Sequence, residues 1–525
     1  MSLGEILFIP GVNGSITESQ WEALEEYDWD RTYNVKGVGT YLGPTLITAA
    51  PWVYEATDLH VSKSGNDANP GTFESPKLTI WAAFNSISTS NTAPITVWVD
   101  SGTYEENASG GYFLFSKVFA NMVTVRGRPG TLPVIQNTSG SFVIRPNGVE
   151  NVRFRNLEIK SSTATLGFVY STQSLTNFEL IECVFTDENS RNTAISLSHG
   201  TQSNISIKRC VFSSSGAFNR SILTAANSKI IGNNFDAIAV ANSTTVSGSS
   251  KVNSNHGTLT ALALNGLASG SGSNHTANAN RVRNIVHAGG DVGFESVLNF
   301  DRNIINATTG VRGIAVSGYT AGGGVRNNTI VSLGDTGLGW PIDGVTSDCD
   351  GHVISQNNIT NNGSGGHAIL VSTGGSNATI SGNTTTAAAG GSYGLVLKGT
   401  SNTATGNTFG GGINSGILLK DCTGGVVRNN LVNSSVAGSV ALRFDNSVNG
   451  EVTENTFVVT DGLLYSNTIA NIGAGNVVNS NSYSVSGSAV WGSLFGSTLN
   501  SLADAQAAWA ANYTPADNDS LSVSL

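Results

Sequence analysis

Charge is what this 525-residue chain has least of. Only 12% of its residues are Asp, Glu, Lys or Arg, against roughly 25% in ordinary globular domains. This scarcity does not imply disorder, because disordered chains pair low hydrophobicity with high net charge, whereas 39% of these residues are hydrophobic. Basic residues number 26 and acidic ones 36, leaving a formal net charge of −10. That balance excludes nucleic acid as the main partner, since a phosphate backbone requires a basic surface. No run of about 18 apolar residues occurs, so no membrane insertion is expected. The four cysteines show no CxxC or Cys/His spacing, which argues against zinc and against a disulfide framework. The first ten residues have no basic n-region and too short an apolar run, so no signal peptide is visible.

What is present is a beat. Asn, any residue, then a usually apolar residue recurs at Asn233, Asn284, Asn303, Asn328, Asn357, Asn383, Asn407, Asn429 and Asn455, and Cys183 and Cys210 fill the same slot upstream. The step is about 25 residues, with one anchor unmarked between Asn233 and Asn284. A fixed period in this range marks a repeat architecture in which each unit buries its apolar face only against its neighbours. Units this short and rich in Gly, Ser, Thr and Asn read as windings of a parallel β-helix. Asn suits the anchor because its amide bonds neighbouring backbone at a tight bend and tolerates left-handed φ. Stacked in register, successive amides form a ladder. These Asn residues are read as scaffold. Cys183 and Cys210 are read as two small stacked core residues, because side chains in register on parallel strands point the same way and pair poorly as a disulfide.

Four stretches differ in character. Residues 1–57 lack the repeat and are acid- and aromatic-rich. They contain a short helix with Ser15/Glu18 or Thr17/Gln20 as capping box, and are read as an attachment or head segment. Residues 58–122 carry a helix start at Ser75-Pro76, followed by Ile80, Ala83, Phe84 and Ile87 at helical spacing. Then come a strand at Ile95–Val99 and the turn Asp100-Ser-Gly-Thr-Tyr104. The windings run over 123–485. Residues 486–525 form a C-terminal cap with a helix near 500–512, ended by Thr514-Pro515.

The series of strand, turn, helix, strand and Asp-Ser-Gly-Thr-Tyr resembles the start of right-handed, single-stranded parallel β-helix proteins of the pectate-lyase-like superfamily. The resemblance implies an all-β fold whose N-terminal helix caps the open end of the coil, with a short C-terminal helix. A cap answers a physical need, because the first winding otherwise shows a bare apolar cross-section and free strand edges. The enzymatic motifs of the family are mostly missing. Asp348-Cys-Asp-Gly-His352 and Asn255-His-Gly257 are faint echoes of polygalacturonase-like motifs, and no Arg-x-Lys follows.

Titratable residues gather in two places. One is the broad middle, with His256, His275, Arg281, Arg283, His287, Asp291, Glu295, Asp301 and Arg302. The other is an insertion before the Asn357 anchor, residues 337–352 (GLGWPIDGVTSDCDGH), in the longest winding between adjacent anchors, where extra residues are expected to leave the coil as a loop. Trp340, with His287 and Asp291, suits carbohydrate binding: a ring stacks on a sugar and polar groups bond its hydroxyls. Asp343, Asp348, Asp350 and His352 are candidate catalytic groups for acid–base work on a glycosidic bond. No cofactor is required, although Asp348 and Asp350 could also bind calcium. The alternative is that Asp and Gly here simply make turns. Arg283, Arg302, Arg326 and Arg428, recurring near anchors, read as surface strand positions.

A β-helix with a distinct head and no visible export signal resembles a phage tailspike. The resemblance implies a virion or extracellular homotrimer whose partners are host surface polysaccharide and other virion proteins, with or without cleavage of the glycan. A free polysaccharide lyase or glycoside hydrolase, and a purely structural virion or surface protein, stand as the other readings.

Overall fold

The computed structural model describes residues 15–24, 32–36, 39–42, 45–49, 55–106, 112–137, 141–161, 167–187, 191–197, 202–214, 218–224, 228–238, 240–245, 251–259, 276–278, 281–285, 299–307, 314–316, 323–332, 345–347, 351–361, 367–372, 375–387, 393–411, 415–467, 475–487, 489–494, 497–512 and 523–524. The chain divides into two compact units, 1–282 and 283–525. In both, short strands pair in parallel with strands one winding away, which makes each unit a parallel β-helix.

In the first unit each winding visits three faces. Face 1 holds Ile95–Val99, Val118–Gly127, Glu150–Arg155, Leu175–Ile181, Ile205–Lys208, Ser228–Ile231 and Lys251–Asn253. Face 2 holds Thr103–Glu105, Val134–Asn137, Glu158–Ser161, Val184–Asp187, Val211–Ser214 and Asn234–Ile238. Face 3 holds Phe113–Phe115, Ile144–Pro146, Val169–Tyr170, Arg191–Leu197 and Phe218–Thr224. The second unit repeats this order, as in Thr403–Thr405, Thr408–Gly411 and Ser415–Thr423. Alternation along each strand sends one set of side chains inward. The result is stacked columns such as Phe185 on Phe212, with centroids 4.8 Å apart and planes 9° off parallel, and Phe457 on Tyr483.

A left-handed residue turns the chain from face 1 to face 2: Asn156, Glu182 and Arg209 in the first unit, and Asn327, Gln356, Asn429, Glu454 and Ser480 in the second, all with φ between 47° and 59°. The residue after it is the buried anchor. Cys183, Cys210, Asn233 and Asn255 occupy that slot in the first unit. In the second, Asn303, Asn328, Asn357, Asn383, Asn407, Asn430, Asn455 and Asn481 do. Their amides form the expected ladder, each side-chain carbonyl accepting from the anchor one winding earlier. Two readings of the beat shift. The anchor is Asn430 rather than Asn429, because Asn429 is the left-handed residue; accordingly Val432 is buried and Leu431 is exposed. The unmarked anchor is Asn255, whose carbonyl accepts from Asn233. The side chain of Asn284 lies outside the described residues.

Among the described residues three helices decorate the strands: α1 (Glu18–Ala23), α2 (Ile80–Ser86) and α3 (Leu502–Asn512). The Thr17/Gln20 capping box is present in α1. Helix α2 starts later than its sequence suggests. Thr79 is its N-cap and Ser75-Pro76 lies in the preceding turn, because the Asp67 carboxylate gathers the N–H groups of Leu78 and Thr79 and fixes the start there. The Glu106 carboxylate accepts from the next two, Ile80 and Trp81. Burial raises the Glu106 pKa, and these two bonds oppose the rise. Phe84 of α2 packs on Phe113, Phe115 and Phe119, sealing the apolar interior of the first windings. In α3, Ser501 caps the Asp504 N–H. Cys183, Cys210 and Cys422 are free and buried, and burial drives the Cys183 thiol pKa well up.

Candidate functional site

Most of the residues expected to carry chemistry lie outside the described residues: His287, Asp291, Trp340, Asp343, Asp348 and Asp350. Within 337–352, Val345–Ser347 is a strand pairing with Ile314–Val316 and Ile369–Val371, so the centre of that segment belongs to a face of the coil. His352 is fully buried. Its carbonyl accepts from Thr379, and the same turn position one winding on is Ala378. The structure thus places His352 in the interior column. Among the described residues no group of three or more His, Cys, Asp or Glu could hold a metal ion. Arg302 and Arg428 are surface positions, each paired with a neighbouring carboxylate, Asp301 and Glu451.

A different constellation appears on face 1 of the first unit. Its inward residues are apolar: Val152 and Phe154, Phe178 and Leu180, Ile205 and Ile207, Ile230. Its outward residues form two columns in register. One reads Trp98, Arg126, Arg155, Ile181, Lys208, Ile231. The other reads Thr96, Thr124, Arg153, Glu179, Ser206, Lys229. Parallel strands lie about 4.8 Å apart, so these columns array cations along the coil axis. The turn that follows adds Glu182 and Arg209 at left-handed φ.

Helix α1 lies directly on these columns. One Glu22 carboxylate oxygen reaches Arg155 Nη1 at 3.0 Å and the other reaches Arg153 Nη2 at 3.1 Å. Lys208 Nζ donates to the Glu22 main-chain carbonyl at 2.7 Å. Trp21 is fully buried, and the Arg209 guanidinium sits 5.1 Å from its ring centroid, a cation–π distance. Behind this contact the coil's own carboxylates hold the cations in place. Glu182 accepts from Arg155 at 2.9 Å and from Arg209 at 3.0 Å, and Glu179 accepts from Arg153 at 2.6 Å. The Arg155 and Arg209 side chains are 2% and 0% exposed. Burial, reinforced by Arg209 and Lys229 and opposed by Glu179 and Glu22, lowers the Lys208 ammonium to about 8. Further along the column the Arg126 guanidinium stacks 5.1 Å over the Trp98 ring, whose Nε1 donates to Asp58.

The arrangement is a set of guanidiniums oriented by Glu179 and Glu182, two of which, Arg153 and Arg155, also meet the Glu22 carboxylate; Arg is well suited to such carboxylate contacts. Sequence reading passed over it, although a signal existed. Arg153-Phe-Arg155 is an alternating strand with cations on its outward side, and Lys208-Arg209 and Glu182 immediately precede the Cys anchors.

No family model matches the chain, and no curated protein matches it. Solved structures do. The lacto-N-biosidase of Eubacterium ramulus is 12% identical, with 76% of this chain and 67% of that chain covered and a TM-score of 0.27. The Dettilon tailspike protein is 14% identical, with 70% and 61% covered and a TM-score of 0.27, so this chain spans less than two thirds of it. The A-module of a mannuronan C-5 epimerase from Azotobacter vinelandii is 14% identical, with 68% and 93% covered and a TM-score of 0.32.

Proposed function

We propose that the chain is a tailspike-like virion protein, active as a homotrimer, that binds an acidic polysaccharide of the host surface along its β-helical coil. The observation that supports this reading is the outward cation array of face 1. Arg126, the pair Arg153 and Arg155, Lys208 and Lys229 lie on four of five consecutive windings, the winding between Arg155 and Lys208 carrying Glu179 and Ile181 instead, on a chain whose net charge is −10. Arg126, Arg153 and Lys229 are part-exposed while Arg155 and Lys208 are buried under α1; exposed cations in a line on an acidic protein attract a polyanion and steer that encounter in a salt-dependent way. A surface otherwise rich in hydroxyls and amides supplies hydrogen bonds to sugar hydroxyls without further charge.

The reading is tested with the full chain. Calorimetry against polygalacturonate and hyaluronate, with neutral dextran as control, should give binding that weakens steeply between 50 and 200 mM salt, in the manner of polyanion contacts, where about 0.9 units of log slope accompany each neutralised charge on a regular duplex. Binding of dextran alone, or of none of the three, overturns the acidic-glycan reading. Sedimentation at three chain masses is the expected assembly, and a monomer at working concentration overturns the trimer. Size analysis of the polymer after incubation decides whether binding is accompanied by cleavage.

A further inference from the structure

Helix α1 is an unusual thing to find on this surface. It has six residues, too few to be stable in isolation; Trp21 and Glu22 meet the coil through a ring and a carboxylate, and Leu24 at its C-terminal cap is buried. By contrast α2 is fixed by Phe84 among three further Phe rings and by Glu106 at its first turn. Under α1, the coil cations Arg153, Arg155 and Arg209 pair with the coil carboxylates Glu179 and Glu182 among the described residues, and Lys208 lies beside them. Arg155 and Arg209 are almost fully buried, and a buried cation is costly unless paired. Glu22 is an anion contributed from α1, each of its oxygens aimed at a different guanidinium.

We propose that α1 is a displaceable intramolecular occupant of a carboxylate-binding site on face 1. The Glu22 carboxylate stands where a ligand carboxylate would sit between Arg153 and Arg155, and Trp21 shields Arg209 from water in the ligand's absence. An acidic sugar polymer and α1 therefore compete for one site, so that the head segment is released when the coil engages its glycan. The competition rests on the acidic-glycan reading above for its ligand class, but the latch itself rests on the contacts of Trp21 and Glu22 alone.

The test compares the full-length parent with Glu22→Gln, probed with a polygalacturonate oligomer. The glutamine keeps the shape of the side chain and removes its charge. Binding should tighten about tenfold in the variant. In the parent, the oligomer should speed amide exchange over residues 18–24 and slow it over 150–155. The parent and variant binding with equal affinity, or the variant binding more weakly, overturns the latch. Oligomer binding that leaves exchange over 18–24 unchanged also overturns it, while leaving the acidic-glycan reading standing. No binding to either protein overturns both. Arg153→Gln, a part-exposed site in which a loss of fold is not at issue, gives a second arm: it should weaken the oligomer by about tenfold in the Glu22→Gln background, and an unchanged affinity there overturns the placement of the site.

Discussion

The side-chain carbonyl of Asn430 accepts two hydrogen bonds from Asn407, one winding earlier: from its main-chain N–H and from its side-chain amide, each at 2.9 Å. The Asn430 amide in turn donates to the Ala404 carbonyl and to Asn455. Each anchor is thus donor and acceptor to its neighbours, and the column satisfies backbone groups that water does not reach.

Asn430→Ala should therefore cost about 2–5 kcal/mol, since two donors of Asn407 lose their buried acceptor and each such loss is worth about 1–3 kcal/mol. Asn429→Gly should cost less than about 0.5 kcal/mol, because Asn429 contributes a left-handed φ of 53° that glycine adopts freely. Urea unfolding of the two variants checks the assignment. Equal losses would mean that the ladder register is misplaced by one residue.

Trp21→Ala should loosen α1 without touching the coil. Removing the ring deletes the buried apolar contact that holds the helix, a truncation worth about 3–5 kcal/mol in a core. Because α1 is a local element, the loss should appear as local opening. Amide exchange over residues 18–24 should accelerate at least a hundredfold while the strand Glu150–Arg155 stays protected. Exchange that accelerates equally in both would make α1 part of the cooperative core of its unit.

Lys208 gives a pH prediction with a definite sign. Its folded-state pKa lies at about 8, below the ordinary 10.5. Below pH 8 both folded and unfolded chains carry the proton, and the full cost of the buried charge is present. Between about 8 and 10.5 the unfolded chain holds more protons than the folded one, so stability rises with pH. Relative to Lys208→Met, the parent should gain on the order of 3 kcal/mol across that window, at about 1.4 kcal/mol per pKa unit. Unfolding free energies measured for both proteins from pH 7 to 10.5 check this, and a constant difference between them would contradict the lowered value.

The sequence was informative where the physics is periodic. The Asn beat announces a parallel coil because each anchor repeats one local problem, a buried turn whose backbone needs amides. The sequence points to Ser75 as the N-cap of α2 where the structure has Thr79, because the deciding group, the Asp67 carboxylate, acts from outside the helix. The charged site is only partly legible, through the alternating Arg153-Phe-Arg155, for a related reason. Arg155 and Glu22 are far apart in sequence, and no local pattern at either residue tells that a six-residue helix will lie across the strand. Along a strand, Arg153 and Arg155 look like ordinary solvated positions; only the pairing of windings, which aligns Arg126, Arg155 and Lys208 in one column, gives them a collective meaning.

The two cysteine anchors offer a test of the scaffold's logic. Cys210 fills the slot that Asn fills later in the same unit. Its thiol points at the Leu180 carbonyl, 3.5 Å away, and Asn233 donates to the corresponding Ile207 carbonyl at 3.0 Å. The Cys210 N–H already donates to the Asn233 side chain at 2.8 Å. An asparagine at 210 would have its amide within reach of Leu180 and Asn233, and its carbonyl would be placed to accept the Cys183 N–H. Cys210→Asn should therefore extend the ladder by one rung and leave stability within about 1 kcal/mol of the parent, even though burying an uncompensated amide generally costs about 1–3 kcal/mol in proteins. Cys210→Leu should cost about 1–3 kcal/mol, because the extra carbons overpack a slot closed above and below by neighbouring windings. Urea unfolding of the three proteins decides the matter. If the asparagine is as damaging as the leucine, the slot is shaped for a thiol, and the likeness between the cysteine and asparagine windings ends at the backbone.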